Sequence, residues 1–150
     1  MRPKQITVAE VEYIAFKLAE KFMTWDEPIP NFGTRFPNIL ESCLSMPFQR
    51  FSFPSKKSSL VKKDLYRGLI GKASILFYLL IKNHPFQNGN KRIAVMCLLD
   101  FLHKNGKWLN INKVDLYNFA RGVAKSRPPT KEKTLHDIQR LLKKHIIDFV

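Results

Sequence analysis

Residues 83–95, NHPFQNGNKRIAV, break a long apolar run with turn-forming residues and two cations, after which the apolar run resumes. Upstream, residues 60–83 carry a helical pattern that is first one-sided and then apolar nearly all round, the mark of a central helix buried by its neighbours. Downstream, residues 93–103 are apolar on most faces, and Asn105-Gly106 supplies a left-handed stop. Two interior helices joined by this loop are therefore expected. Pro85 disfavours helical geometry at the residue before it, so His84 is expected to leave the helix in an extended conformation with its imidazole freed. Phe86 would point back and anchor the loop in the core.

The rest of the loop reads as an anion seat. Asn88, Gly89 and Asn90 tolerate positive φ, and successive N–H groups in such a turn can face one point. A helix starts immediately afterwards, so its unpaired N–H groups and positive dipole end aim at the same place. Lys91 and Arg92 stand in its first turn, where cations cost roughly 0.3–1 kcal/mol each unless an anion sits there. A histidine titrates near neutral pH and can act as a general base. A base beside an anion cradle suits a hydroxyl attacking phosphorus. The residues alone leave a plainer reading equally open: a turn between two core helices, with His84 capping the carbonyls of the helix before it.

Elsewhere the chain is mostly helical. Thr7 with Glu10 forms a capping box, and Val8, Val11, Ile14, Leu18 and Phe22 keep one face apolar to about Met23. Pro28, Pro30, Gly33, Pro37, Pro47 and Pro54 exclude a long helix over residues 25–59, although Ile39 to Leu44 allows a turn or two. Phe48, Phe51 and Phe53 fall in a short extended piece that suits a small hairpin. Asn112 with Asp115 opens another helix through Leu116, Phe119 and Val123, and residues 126–129, SRPP, break it. A last helix from about Lys131 carries Leu135, Ile138, Leu142, Ile146 and Phe149 as one stripe. The expectation is one all-α domain over residues 1–150, with a short β element near residues 45–53.

Composition narrows the partners. Cys43 and Cys97 stand in no metal-like spacing and suggest neither a disulfide framework nor zinc. The apolar runs are too short to cross a bilayer and no leader peptide is visible, so a soluble, cytosolic protein is expected. With 26 Lys and Arg against 12 Asp and Glu, the formal net charge is +14. That charge attracts polyanions, nucleotides or an acidic partner. The cations are scattered in pairs, so an ordinary solvated surface explains them as well as a nucleic-acid face does.

Residues 84–92, HPFQNGNKR, resemble the signature of the Fic/Doc family, His-x-Phe-x-Asp/Glu-Gly/Ala-Asn-x-Arg, set between long helices as here. Residues 40–51, LESCLSMPFQRF, resemble the segment before that family's flap hairpin, which docks a stretch of target protein as an added strand. The resemblance implies a Fic-fold helical bundle with a short β-hairpin flap. It implies transfer of part of ATP to a Ser, Thr or Tyr hydroxyl of a target protein: AMP in most members, phosphate in the Doc-like branch. In that branch the protein is the toxin of a bacterial cytoplasmic toxin–antitoxin pair.

Carried over by position, His84 is the base, Phe86 the anchor, Gly89 and Asn90 the phosphate cradle and Arg92 the phosphate clamp. Asn88 and Lys91 complete the nucleotide contacts, and Ser45, Met46, Pro47 and Phe48 belong to the docking flap. Lys91 replaces a glycine typical of AMP-transferring members, and Val95 stands where those members often place a second arginine; both favour the Doc-like side. Pro85 and Gly89 are closer to the AMP-transferring pattern. Asn88 occupies the position of the usual Mg²⁺-holding carboxylate, so the resemblance implies a weakened metal site, since Mg²⁺ is usually held through carboxylates and substrate phosphates. No Ser/Thr-x-x-x-Glu helix of the kind that blocks the site from within is present, so inhibition would come from a separate antitoxin, an acidic one by charge.

Other motifs carry less. Residues 68–74, GLIGKAS, are too short for a phosphate loop and are expected mid-helix, with Gly68 and Gly71 as close-packing positions. His103, His136 and His145 lack partners at ligand spacing and suit surface or capping roles. Two function classes stand: a target-modifying transferase, and a catalytically degenerate module of the same fold that binds nucleotide or RNA.

Overall fold

Thr7 and Glu10 start the fold as their spacing implies. Glu10 Oε1 accepts the Thr7 N–H at 3.1 Å, and Thr7 Oγ1 accepts the Glu10 N–H at 3.2 Å, so two donors that a helix start leaves unpaired are satisfied reciprocally. Helix α1 (Val8–Lys21) follows. The computed structural model describes residues 2–21, 29–54 and 60–149, so the expected end of α1 near Met23 lies outside the described residues. Helix α2 (Pro37–Ser45) has proline in its first turn, where a missing N–H costs nothing. Helix α3 (Gly68–Lys82) is the interior rod, buried at every position from Lys72 to Ile81. Helix α4 (Asn90–Lys104) packs along it, and Gly106 at φ 77° ends α4 as the Asn-Gly pair predicts.

The second half completes the same core. Asn112 Oδ1 accepts the Val114 N–H at 2.7 Å and opens α5 (Lys113–Lys125), while α6 (Lys131–His145) follows the proline break. Leu116, Ala120 and Val123 of α5 and Leu135, Ile138 and Leu142 of α6 are buried in one cluster with Phe77 of α3 and Phe101 of α4. Fully burying such a side chain stabilises the fold by roughly 1.5–3 kcal/mol. The thiols Cys43 and Cys97 are free and buried in this cluster.

Strands depart from the expectation in three places. The hairpin pairs β1 (Arg50–Pro54) with β2 (Leu60–Asp64), antiparallel, with Arg50 opposite Asp64. Its first strand thus starts later than residue 45, and residues 60–64 are strand where a helix is expected. The cross-chain ladder overrides the local pattern there, because a strand gains its hydrogen bonds only from a distant partner. Ser45 instead closes α2, and Met46–Phe48 form a 3-10 turn. A second pair, β3 (Lys107–Leu109) with β4 (Ile146–Asp148), was not expected and takes Ile146 off the helical stripe. Phe149 closes onto His103 and Trp108 with ring centres at 4.4 and 5.8 Å. No described helix is long and apolar enough to cross a membrane.

Gly68 opens α3 rather than lying within it. Its φ of 67° suits glycine, and nothing stands within 4 Å of where a Cβ would sit, so it is a turn position and not a packing one.

Candidate functional site

The loop between α3 and α4 is built from both sides. Asn83 ends α3 by donating its N–H to the Leu79 carbonyl at 2.9 Å, and Lys82 Nζ is spent on the carbonyls of Ala124 and Ser126 at the end of α5. Pro85 is buried, and its carbonyl accepts the Phe36 N–H at 2.9 Å. Phe86 is 1 % exposed, with its ring 5.9 Å from that of Phe32. The segment before α2 therefore forms the outer wall of the loop.

Asn90 locks the turn. Its Oδ1 accepts the Phe86 N–H at 2.9 Å, and its Nδ2 donates to the Phe86 carbonyl at 2.8 Å, both in the interior. The side chain read from the sequence as part of the phosphate cradle is thus engaged with the backbone. What Asn90 contributes is the shape of the loop. The i to i+4 spacing of Phe86 and Asn90 is visible in the sequence, but nothing local says that the amide faces inward.

The same lock sets the backbone of His84. Its φ is 49°, left-handed and not extended. With Pro85 tied to Phe36 and Phe86 tied to Asn90, the chain leaving α3 must reverse within one residue, and the left-handed region does so. An L-residue there costs about 1–2 kcal/mol, with histidine among the types that tolerate it. The side chain is exposed, and no hydrogen bond or ion pair ties the imidazole to any described residue. The capping of the α3 carbonyls, which the plainer reading allowed, is not formed.

Gly89 follows at φ 74° and precedes the first turn of α4. A Cβ there would lie 2.5 Å from Ile29 Cδ1, so both the backbone angle and the neighbour ask for glycine. The N-cap of α4, Gly89, has no side chain to cap it, and the first turn of the helix contains no acidic residue. An α-helix leaves its first N–H groups without an intrahelical partner. Lys91 and Arg92 are half-buried there, with the Arg92 guanidinium 5.9 Å from the Tyr117 ring centre. His84, Gly89, Lys91 and Arg92 are thereby gathered on one loop and helix start. Val95 is buried on the core side of α4.

The donor set fits a phosphate better than a metal. Asn88 is exposed and offers one neutral amide oxygen. Among the described residues no group of three His, Cys, Asp or Glu is placed to hold a metal ion. The carboxylate that Mg²⁺ prefers is not supplied by the residues of this loop.

Of the flap residues, Ser45 is exposed and Met46 half-buried, whereas Pro47 is buried. Phe48 stands edge-on to Phe101 at 6.1 Å and accepts Arg2 Nη2 on its carbonyl at 2.7 Å. These four lie at the foot of the hairpin and not on its strands. His103 packs against Trp108 and Phe149, His136 is exposed, and His145 Nδ1 lies 3.2 Å from the Asn110 carbonyl.

The model of the Fic/DOC family matches residues 5–102 of the chain. No curated protein matches it, and no solved structure does.

Proposed function

The chain belongs to the Fic/DOC family, and from that premise we propose that it is a Doc-like toxin that transfers a phosphoryl or AMP group from ATP to a hydroxyl side chain of a target protein, with His84 as general base. Members of the family in general transfer nucleotide or phosphate groups to proteins and use ATP with Mg²⁺. All 150 residues are read as one such domain, because α5 and α6, beyond the matched span, share the core of α3 and α4. The observation that carries the reading is the exposed imidazole of His84, which bonds to no described residue, beside a first turn of α4 that itself contains Lys91 and Arg92 and no acidic residue.

The chemistry follows from those groups. The imidazole nitrogen takes the proton of the target hydroxyl as its oxygen bonds to phosphorus, and the histidine becomes imidazolium. The bond to the leaving group breaks in the same displacement. Attack at the α-phosphorus releases pyrophosphate, and attack at the γ-phosphorus releases ADP. Charge on the phosphoryl oxygens is met by the α4 N-terminal N–H groups and by Lys91 and Arg92. Arg92 offers a planar fork that suits two phosphate oxygens.

The test is incubation of the protein with cell lysate, Mg²⁺ and ATP labelled at the α or the γ position. One or few labelled proteins are expected, and His84→Ala should abolish the label; the labelled position separates AMP from phosphate transfer. A second reading, a catalytically degenerate nucleotide- or RNA-binding module, is favoured by the uncharged Asn88 and by the exposed cations Arg121, Lys125, Lys133, Arg140, Lys143 and Lys144 of α5 and α6. RNA binding that falls steeply with salt and survives His84→Ala, with no label transferred, would support it. The charge also suits an acidic antitoxin.

A further inference from the structure

Lys72 lies just over one turn into α3 with its side chain at 0 % exposure, an ammonium that the transfer chemistry does not use. A charge taken out of water must be paired and hydrogen-bonded. Its Nζ donates to Asp64 Oδ2 at 2.9 Å and to the Tyr66 carbonyl at 2.6 Å. Asp64 Oδ1 takes two more cations, Arg2 at 2.9 Å and Arg50 at 3.2 Å. The hydrogen bond from Lys72, with help from Arg2, holds the Asp64 carboxyl below its ordinary range, so it is ionised at neutral pH.

The place of this carboxylate gives it leverage. Asp64 and Arg50 face each other at the base of the β1–β2 hairpin, and the Leu65 N–H continues the ladder to the Gln49 carbonyl at 2.9 Å. Phe48, at the hairpin's foot, has the Arg2 guanidinium at 5.6 Å and Lys72 Nζ at 5.8 Å from its ring centre. The base is thus keyed at once to α3, to the N-terminal segment and, through Phe48, to Phe101 of α4. A two-stranded hairpin is marginal by itself in water, so its direction is set by what grips it. Strands of five residues span about 17 Å. A tilt of about 10° at the base therefore moves the tip by about 3 Å, and misplacements of about 1 Å already cost rate in positioned reactions. An apolar side chain of similar volume often matches a buried ion pair in stability. What the pair adds is a fixed geometry.

We propose that Lys72 and Asp64 are positioning residues for the acceptor protein: by gripping the base of the β1–β2 hairpin they aim it so that a docked stretch of the target presents its hydroxyl to His84. The inference rests on the transfer reading above. It centres the hairpin's alignment on one carboxylate shared by three cations, with the Phe48 ring seated beside them.

The test compares the full chain with Lys72→Met and Asp64→Asn. Labelled ATP is the donor, and a dilution series of cell lysate is the acceptor. Both variants are expected to melt cooperatively. Amides of residues 50–53 and 60–64 should exchange about tenfold faster with solvent while those of α4 are unchanged. The apparent KM for acceptor should rise about tenfold, with kcat and ATP affinity within about twofold of wild type. Unchanged hairpin exchange overturns the proposal, whether or not the wild type labels anything. Faster exchange with an unchanged acceptor KM overturns it too, as does a loss that falls equally on kcat and ATP binding. If the wild type labels no protein, the transfer reading is what has failed, and hairpin exchange still decides whether Lys72 is the anchor.

Discussion

Replacing Asn90 with alanine removes both hydrogen bonds that its amide makes with the Phe86 backbone, at 2.9 and 2.8 Å, and puts nothing in their place. Phe86 is 1 % exposed, so its N–H and carbonyl would be left unpaired away from water. Each such group costs about 1–3 kcal/mol. Part of that returns, because a loosened loop lets His84 relax from its left-handed φ of 49° toward the extended region that a residue before proline prefers. The strain released is about 1–2 kcal/mol. A net destabilisation of about 2.5 kcal/mol is expected, read from urea unfolding as a shift in midpoint at constant slope. The exposed neighbour Asn88→Ala is the control and should stay within about 0.5 kcal/mol of wild type. Label transfer from ATP should fall further in Asn90→Ala than the folded fraction does, because the imidazole loses its fixed position. An Asn90→Ala protein as stable as wild type to within about 0.5 kcal/mol would refute the lock, and with it the explanation of the His84 backbone.

Two further outcomes follow from the same physics. His84→Gly should stabilise the protein by about 1 kcal/mol in urea, since glycine carries no penalty at a left-handed angle, while label transfer drops about 10²–10⁴-fold; a less stable variant would show that the angle holds no strain. The Asp100 carboxyl is raised above its ordinary range, first by burial and then by a hydrogen bond with Glu10. The folded state therefore holds that proton more tightly than the unfolded chain, and the stabilisation is present below the unfolded value of about 3.9 and lost as pH rises through the folded one. Asp100→Asn, which never ionises, should gain in melting temperature over wild type as pH increases from about 4 to 8, and a difference that does not vary with pH would contradict the sign.

Much of the architecture was legible because it is local. The capping box at Thr7 and Glu10, the Asn112 cap and the Asn105-Gly106 stop are interactions between residues a few positions apart, and they stand where their spacing implies. Residues 60–64 illustrate the opposite case. Their own pattern suits a helix, and only pairing with residues 50–54 makes them a strand. Residues 146–148 likewise leave the helical stripe to pair with residues 107–109. A ladder rewards a segment only when its partner is brought alongside, and no window of sequence contains that information.

The candidate site divides along the same line. Its residue types, the histidine before proline, the glycine before a helix and the cations in a first turn, are all written in residues 84–92. The angle of His84, the turning inward of Asn90 and the wall made by Ile29, Phe32 and Phe36 depend on contacts with segments more than forty positions away or on which face of a turn meets the core. Lys72 makes the point most sharply. In sequence it is one cation among twenty-six Lys and Arg, and burial beside Asp64 turns it into the grip on the hairpin. Covalent spacing determined where helices start and which groups are at hand. Packing decided which of those groups lose water, and a charge or amide cut off from water must take up protein partners and so a fixed direction.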